Sequence, residues 1–374
     1  APEQIAAIRT GRHGAHNITV VPELDATDGT PEQRVLVYAA SPHNSQKRDP
    51  LTGAADPGDY NEVIAVPLDA PSTSEVVARI KVGDSGGCHD ISFFLPRGIA
   101  ACNRGAAGTA LWDVRDDPEE PRDDGASLLD PKVIAYMLVE APPTIVEAPR
   151  TGPTTMHSSA FSWDGDTLVV SDENFFEATL SGTCRSQAPP YAGSIFFYDV
   201  SPDALRWLWT APARGTRADL PEWGVAKRVP PTGYHLPPPV ENNGNCSSKQ
   251  VSVIPLASGR DVAVISWMGG GTSVIDFTRP DAPMQLAYFA PLPGTNDRTA
   301  AWASYWYNGS IFVNNAYGCW LQICTGTLTR GLDVLRLDGH DLGDTIPMPS
   351  FNFGLQECLT VPSGAAHQGL GDCP

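Results

Sequence analysis

The sequence predicts an all-β chain folded as a β-propeller with five blades, and three observations support this. No stretch keeps a 3.6-residue apolar period across four turns, so long amphipathic helices are not expected. Short β-branched and aromatic runs recur between Gly, Pro, Asp and Asn residues. These runs repeat along the chain at intervals of several tens of residues, which is typical of propellers. The 374 residues include 35 Gly and 35 Pro without a collagen period, which indicates many turns.

The repeated signature is a strand ending in Asp, then a Pro-containing turn, then another strand. Clear copies end at Asp113, Asp199 and Asp276, and weaker copies cover 64–68 and 332–335. A strand pair precedes each copy, so each unit is predicted to contain four antiparallel strands.

The predicted domain is a single propeller over residues 1–349, followed by a disulfide-tied tail at 350–374. Its blades are predicted at about 14–81, 88–140, 155–212, 246–290 and 301–349. Residues 5–11 resemble the outer strand at 76–82, so residues 1–12 are expected to complete the last blade, which would leave no open sheet edge. The Pro-rich stretch 213–245 and the tail leave six or seven blades open as alternatives.

The charge balance restricts the partners. With 25 basic and 43 acidic side chains the net charge is −18, which argues against nucleic acid and anionic membranes, because both attract basic surfaces. No uncharged apolar run approaches the ~20 residues that span a bilayer. We expect a monomer that binds a small molecule or carbohydrate.

Cysteine usage predicts a secreted, extracellular protein. The chain has eight cysteines and begins Ala-Pro-Glu, as a mature protein does after removal of a signal peptide. Cys88 and Cys102 flank a turn symmetrically and should face one another across a hairpin. The other spacings fit the pairs Cys319 with Cys324, Cys358 with Cys373, and Cys184 with Cys246, which is one of 105 possible pairings.

Four segments carry a resemblance to a known family. They are 157–173 (HSSAFSWDGDTLVVSDE), 270–277 (GGTSVIDF), 302–309 (WASYWYNG) and 330–334 (RGLDV). With these segments the chain resembles the LVIVD-repeat family of secreted bacterial propellers. The resemblance implies a propeller outside the cytoplasm and no particular reaction. Family members commonly carry Cys-x-x-His where this chain has Cys246 to Lys249, so a histidine position is occupied here by lysine.

Aligning the units on their first strands produces a column of functional side chains: His16, His89, His157, Lys249 and, in the fifth unit, Trp302 or Ser304. In a propeller the first strands line the central channel, so these residues are expected to converge. Three imidazoles suit a transition metal, so His16, His89 and His157 are predicted to bind zinc, copper, iron or manganese. The competing interpretation is that they are channel residues hydrogen-bonded to each other and to water.

Three residues are predicted to be catalytic: His157, Glu173 and Lys249. Glu173 or its neighbour Asp172 could supply a carboxylate ligand or orient an imidazole. Lys249 could bind an anionic group, act as a base or form an imine if burial lowers its pKa. The alternative for Lys249 is a structural ion pair with Glu173.

Long insertions and aromatic residues predict a binding pocket at the same face. The insertions at 41–60 and 213–245 contribute His43 and His235. Trp267, Trp302 and Tyr305 are predicted to contact substrate, although aromatic residues of propellers often pack between blades instead.

Signatures of other enzyme classes are absent from the sequence, including the P-loop, G-x-G-x-x-G opening a helix, G-x-S-x-G and H-E-x-x-H. No nucleotide or flavin cofactor is therefore expected. Two function classes remain. One is an enzyme, as a metal-assisted hydrolase, lyase or oxidase or with lysine-centred chemistry, and the other is a non-catalytic propeller that binds a glycan or protein.

Overall fold

The computed structural model describes residues 4–8, 10, 15–23, 33–40, 60–82, 87–105, 108–115, 125–137, 156–173, 193–209, 228–229, 233–235, 247–268, 271–289, 301–315, 319–320, 323–324, 331–337, 342–357 and 359. Within them the chain is almost entirely β, and five small sheets form the five-bladed β-propeller that the sequence predicts. No helix among these residues is both long and apolar enough to cross a membrane.

The chain divides into two compact units. The first contains residues 1–137, 203–229 and 352–357, and the second contains 138–202, 230–351 and 358–374. One propeller domain over 1–349 with a separate tail stays a prediction.

The first unit contains two sheets whose consecutive strands pair antiparallel. The first sheet consists of β1 (Asn17–Glu23), β2 (Arg34–Ala40), β3 (Asn61–Pro67) and β4 (Glu75–Ile80). The second consists of β5 (Asp90–Phe94), β6 (Ile99–Asn103), β7 (Thr109–Asp113) and β8 (Lys132–Met137). Short parallel strands extend it at both edges, β12 (Arg228–Val229) on β8 and β23 (Leu355–Gln356) on β5. Single 3-10 turns lie at Pro71–Thr73 and Leu95–Arg97.

The core of the first unit forms between these sheets from inward-facing residues that include Leu36, Tyr38, Phe93 and Trp112. The segment before β23 fastens to both sheets. Asn352 Nδ2 donates to the carbonyl of Val20 at 2.8 Å, and the N–H of Phe93 donates to the carbonyl of Gly354 at 2.7 Å.

The second unit contains three sheets and a short ribbon. The first sheet consists of β9 (Met156–Phe161), β10 (Thr167–Asp172), β11 (Ile195–Asp199) and β13 (Gly233–His235). The next consists of β14 (Ser247–Ile254), β15 (Val262–Met268), β16 (Gly271–Asp276) and β17 (Met284–Phe289). The last consists of β18 (Ala301–Tyr307), β19 (Ser310–Asn315) and β22 (Leu332–Leu335), and β20 (Cys319–Trp320) pairs with β21 (Ile323–Cys324).

A tight turn between β9 and β10 aligns the strand that carries His157 with the strand that precedes Glu173. Gly165 adopts a φ of 76°, which favours glycine, and Asp164 Oδ1 accepts the N–H of Asp166 at 2.9 Å. The N–H of Ser162 then closes the hairpin on the carbonyl of Thr167 at 2.8 Å.

An α-helix, α1 (Pro202–Trp209), follows β11. Pro202 at its first position has no N–H to leave unsatisfied, and Asp203 in the first turn complements the helix dipole. The helix spans only 8 residues, so it agrees with the prediction of a chain without long helices.

Closure by an N-terminal strand is the part of the fold prediction that the described residues do not support. Residues 4–8 form no strand, and residues 4–7 are exposed, so burial against a neighbouring strand does not hold this segment in a sheet.

The disulfide predicted between Cys88 and Cys102 is confirmed, with Cα atoms 5.3 Å apart. Asn61 supports it, because its Oδ1 accepts the N–H of Cys88 at 2.8 Å. Cys319 and Cys324 lie opposite each other in backbone register, but their side chains are outside the described part of the chain. The other predicted pairs, of Cys184, Cys246, Cys358 and Cys373, also lie outside it.

Candidate functional site

The predicted site residues divide between the two units. His16 and His89 belong to the first, whereas His157, Glu173, Lys249 and Trp302 belong to the second. A metal site shared by all three histidines therefore stays a prediction.

Three predicted residues of the second unit lie at β-bulges near the start of the first strand of their sheets. The bulge in β9 places His157 and its successor opposite the single residue Ser171. The bulge in β14 places Lys249 and its successor opposite Ser266, and Trp302 is the extra residue of the bulge in β18. Bulges redirect side chains and are enriched beside active sites. His157, Lys249 and Trp302 therefore occupy equivalent, redirected positions.

Two serine hydroxyls satisfy the backbone groups that the bulges leave without ladder partners. Ser171 Oγ accepts the N–H of Ser158 at 3.0 Å and donates to the carbonyl of Lys249 at 2.6 Å. Ser266 Oγ likewise accepts the N–H after Lys249 at 2.9 Å and donates to the carbonyl of Trp302 at 3.1 Å. Each hydroxyl thus links its own bulge to the bulge of the following sheet, because buried backbone groups require partners.

Glu173 lies between two nitrogen-bearing side chains immediately after the end of β10. Its Oε1 forms an ion pair with Lys249 Nζ, and its Oε2 lies 3.3 Å from His157 Nε2. The ammonium of Lys249 also lies over the Trp302 ring, 4.3 Å from the centroid, in a cation–π contact. We call His157, Glu173, Lys249 and Trp302 the Glu173 cluster.

Solvent reaches the members of the Glu173 cluster unequally. The side chains of Lys249 and His157 are 1% and 2% exposed, whereas that of Glu173 is 13% exposed and Trp302 is partly exposed. Burial lowers the pKa of Lys249 to about 7, because a desolvated ammonium is disfavoured. Glu173 and Trp302 are therefore the members of the cluster that solvent reaches, whereas Lys249 and His157 are buried.

Asp172, the alternative carboxylate, has a structural role. It is buried, and its Oδ2 accepts the N–H of Gly193 at 3.0 Å. Its own N–H donates to Ser248 Oγ at 2.9 Å. These bonds fix the chain on either side of β10 and leave Glu173 as the carboxylate of the cluster.

In the first unit, His16 and His89 pack against each other. Their ring centroids are 4.2 Å apart with the planes inclined by 65°, and each residue directly precedes the first strand of its sheet. Asn17 Nδ2 donates to the carbonyl of His89 at 3.2 Å, and Thr19 Oγ1 donates to the carbonyl of Ile91 at 2.7 Å. Two adjacent imidazoles held in this way are a partial ligand set for a transition metal.

The predicted aromatic contact residues differ in their exposure. Trp267 is 0% exposed and packs in the core with Phe197 and Phe277, so the prediction that it contacts ligand is corrected. The reason is that its side chain belongs to the buried apolar cluster that also contains Val251 and Ile265, although it is the last residue but one of β15. Tyr305 contacts Phe351, with ring centroids 5.3 Å apart.

The side chains of two predicted contact residues lie outside the described part of the chain. His43 lies outside the described residues. His235 ends β13 opposite Ile195 in the backbone register, and its side chain lies outside the described part.

The serines were missed by sequence reasoning, although a signal for them exists. Ser171 follows Val169-Val170 and Ser266 follows Val264-Ile265, so each serine comes directly after two β-branched residues in the second strand of its sheet. Aligning second strands as well as first strands would have brought them into one column.

No protein-family model matches the chain, and no curated protein matches it. Among solved structures, the periplasmic gluconolactonase PpgL of Pseudomonas aeruginosa is similar at 14% identity and a TM-score of 0.41, covering 88% of this chain and 82% of that chain. A Bacteroides uniformis protein assigned as a 6-phosphogluconolactonase is similar at 12% identity and a TM-score of 0.41, covering 86% and 68%. U3-55K is similar at 8% identity and a TM-score of 0.40, covering 81% and 64%. These values are too low to indicate a reaction or a ligand for this chain.

Proposed function

We propose that this protein is an enzyme that acts on a small organic molecule or sugar by acid–base catalysis, with Glu173 as the group that exchanges a proton with the ligand. The observation that carries the proposal is the position of Glu173 between His157 Nε2 and Lys249 Nζ, as the most exposed of the three. Titratable groups whose surroundings shift their pKa values are concentrated in active sites.

The proposed chemistry uses the three titratable members of the Glu173 cluster. Glu173 accepts a proton from the ligand or from a water molecule, and the donor keeps the bonding electron pair. Proton uptake neutralises the carboxylate and so removes the charge that favours the ammonium of Lys249. Lys249, whose pKa burial has lowered to about 7, can then release its own proton to a water molecule near neutral pH, and Glu173 gives the proton that it took to the product. His157 orients the second oxygen of Glu173.

An imine-forming role for Lys249 is less well supported than this relay. The side chain is 1% exposed, so a carbonyl compound would reach Nζ only after Glu173 had moved aside. Glu173 requires no such movement, which favours the carboxylate as the group that meets the ligand.

A transition metal remains part of the proposal. The imidazole and carboxylate of His157 and Glu173 are ligand types that zinc, copper, iron and manganese accept, and so are the paired imidazoles of His16 and His89. When bound, such an ion would acidify a water molecule or polarise a carbonyl group.

A comparison of wild type with Glu173→Gln tests the catalytic proposal. Each protein is incubated with a mixture of sugars, sugar derivatives and small carbonyl compounds, and the mixture is followed by mass spectrometry. We expect wild type to convert at least one compound and Glu173→Gln to lose about 10²-fold or more of that rate. Glu75→Gln, the same change at an exposed residue of β4, should keep the wild-type rate. Equal rates in all three proteins would contradict the proposal.

Non-catalytic binding of a glycan or protein is the second candidate. It is favoured by the fact that both oxygens of Glu173 already have nitrogen partners, as in a structural ion pair. In that case ligand binding would be detected without conversion of any compound.

An extracellular location, a monomeric state and membership of the LVIVD-repeat family complete the proposal. The Cys88–Cys102 disulfide supports the location, because such bonds persist in oxidising compartments. The family motifs of the sequence fall on β9–β10, β16, β18 and β22, which supports membership.

A further inference from the structure

We infer that the ligand of the Glu173 cluster is a neutral, hydroxyl-rich molecule, namely a carbohydrate without charged substituents. This inference rests on the proposed function for the position of the site and adds the chemical class of the ligand. Two observations support the inference: the unequal exposure of the groups of the cluster, and the contacts that these groups already make with one another.

Anionic ligands are disfavoured because the negative charge of the cluster is more exposed than the positive charge. The carboxylate of Glu173 is the more exposed partner at 13%, and the ammonium of Lys249 is 1% exposed behind it. An incoming anion therefore meets a like charge before it can reach the opposite one. The formal net charge of −18 adds a long-range repulsion of the same sign.

Cationic ligands are disfavoured by the ammonium that is already present. A carboxylate beside an indole ring would otherwise suit an ammonium group, through an ion pair and a cation–π contact. Lys249 Nζ already makes both contacts, with Glu173 Oε1 and with the Trp302 ring at 4.3 Å. A second cation would have to displace this amino group, which the fold holds against both partners.

A neutral polyol fits the groups that remain available. Carboxylate oxygens accept hydrogen bonds from hydroxyl groups, and a bond to a charged acceptor is stronger than one between neutral groups. The partly exposed indole of Trp302 offers an apolar surface to the C–H groups of a sugar ring. The hydroxyl and C–H faces of a carbohydrate match these two features, and neither requires the Lys249–Glu173 pair to open.

Ligand-observed NMR on the full chain tests the inference with matched sets of ligands. Glucose, galactose, mannose and xylose, with their disaccharides, are compared with the corresponding uronic acids and amino sugars. We expect binding by at least one neutral sugar and at least tenfold weaker binding by its charged counterparts. Trp302→Ala and Glu173→Gln should each weaken that binding about tenfold, and Tyr288→Ala, at an exposed aromatic residue of β17, should leave it unchanged.

The inference is overturned if a uronic acid or an amino sugar binds more tightly than the neutral sugar, or if no sugar in the set binds. Its failure is distinguishable from that of the proposed function. If a charged compound is converted and the conversion depends on Glu173, the enzyme proposal holds and the inference of a neutral carbohydrate fails. If a neutral sugar binds and is not converted, the inference holds and the enzyme proposal fails.

Discussion

The hydroxyl of Ser171 donates a 2.6 Å hydrogen bond to the main-chain carbonyl of Lys249, a residue 78 positions further along the chain. The same oxygen accepts the N–H of Ser158, which follows His157. One buried side chain therefore holds two bulges, one beneath His157 and one beneath Lys249. The relative placement of the imidazole and the ammonium on either side of Glu173 depends on this serine.

Replacing Ser171 by alanine should destabilise the protein and loosen the cluster. The change leaves a buried N–H and a buried carbonyl with one partner fewer, which costs about 1–3 kcal/mol. Urea unfolding measures the loss, and Ser350→Ala, at an exposed position, serves as the control. A loss in Ser171→Ala no larger than in the control would show that the hydroxyl does not hold the bulges.

The burial of the Lys249 ammonium predicts how the stability of the folded protein changes with pH. Burial lowers the pKa of Lys249 from 10.5 to about 7, so between these values the unfolded chain binds the proton and the folded chain does not. Stability from this residue therefore rises with pH across that window, with a slope of up to about 1.4 kcal/mol per pH unit. Below pH 7 both states carry the proton, and the cost of burying the charge is present in full.

Urea unfolding of wild type and Lys249→Met between pH 6 and about 9 measures this slope. We expect wild type to gain stability relative to the variant as the pH rises, whereas Lys81→Met, at an exposed lysine, should follow wild type. A difference that does not change with pH would mean that Glu173 keeps the ammonium protonated in the folded chain throughout the range.

Much of this arrangement follows from the sequence because the repeat places equivalent residues in register. His157, Lys249 and Trp302 could be aligned because each precedes the same alternation of apolar residues in a first strand. The choice between Asp172 and Glu173 could not be made in this way. Adjacent strand residues face opposite sides, and the bulge in the paired strand alters the register at that point.

Other features depend on tertiary packing that a sequence pattern does not contain. Trp267 and Trp302 are both aromatic residues of β-strands, yet one is fully buried in the core and the other covers Lys249. The N-terminal segment resembles an outer strand in its residues, but forming a strand also requires a partner edge, and residues 4–8 form none.

Replacing Gly354 by alanine should destabilise the protein more than the same change at Gly309. Its φ is 80°, and a Cβ there would lie 2.9 Å from Thr19 Oγ1 and 3.0 Å from the carbonyl oxygen of Ile91. Gly309 has a similar φ of 89° but nothing within 4 Å of its Cβ position. Gly309→Ala should therefore cost only the backbone strain of about 1–2 kcal/mol, and Gly354→Ala should cost more because the clash is added.

Thermal or urea unfolding of the two variants separates the two effects. Hydrogen exchange at Phe93, whose N–H donates to the carbonyl of Gly354, should accelerate in Gly354→Ala and stay slow in Gly309→Ala. Equal losses of stability in the two variants would mean that the contact between the tail and β1 and β5 contributes nothing beyond backbone strain.

The histidine pair of the first unit predicts a metal-dependent property. We expect protein purified without an affinity tag to carry about one first-row transition metal ion per chain, because imidazole is a preferred ligand of such ions and the two ring centroids lie 4.2 Å apart. Elemental analysis measures the content. His89→Ala should lose the ion, and a chelator should lower the unfolding temperature of wild type but not of the variant. His367→Ala, outside every predicted site, is the matched control and should retain the metal. A metal content that His89→Ala does not change would show that this pair binds no ion and that its packing is structural.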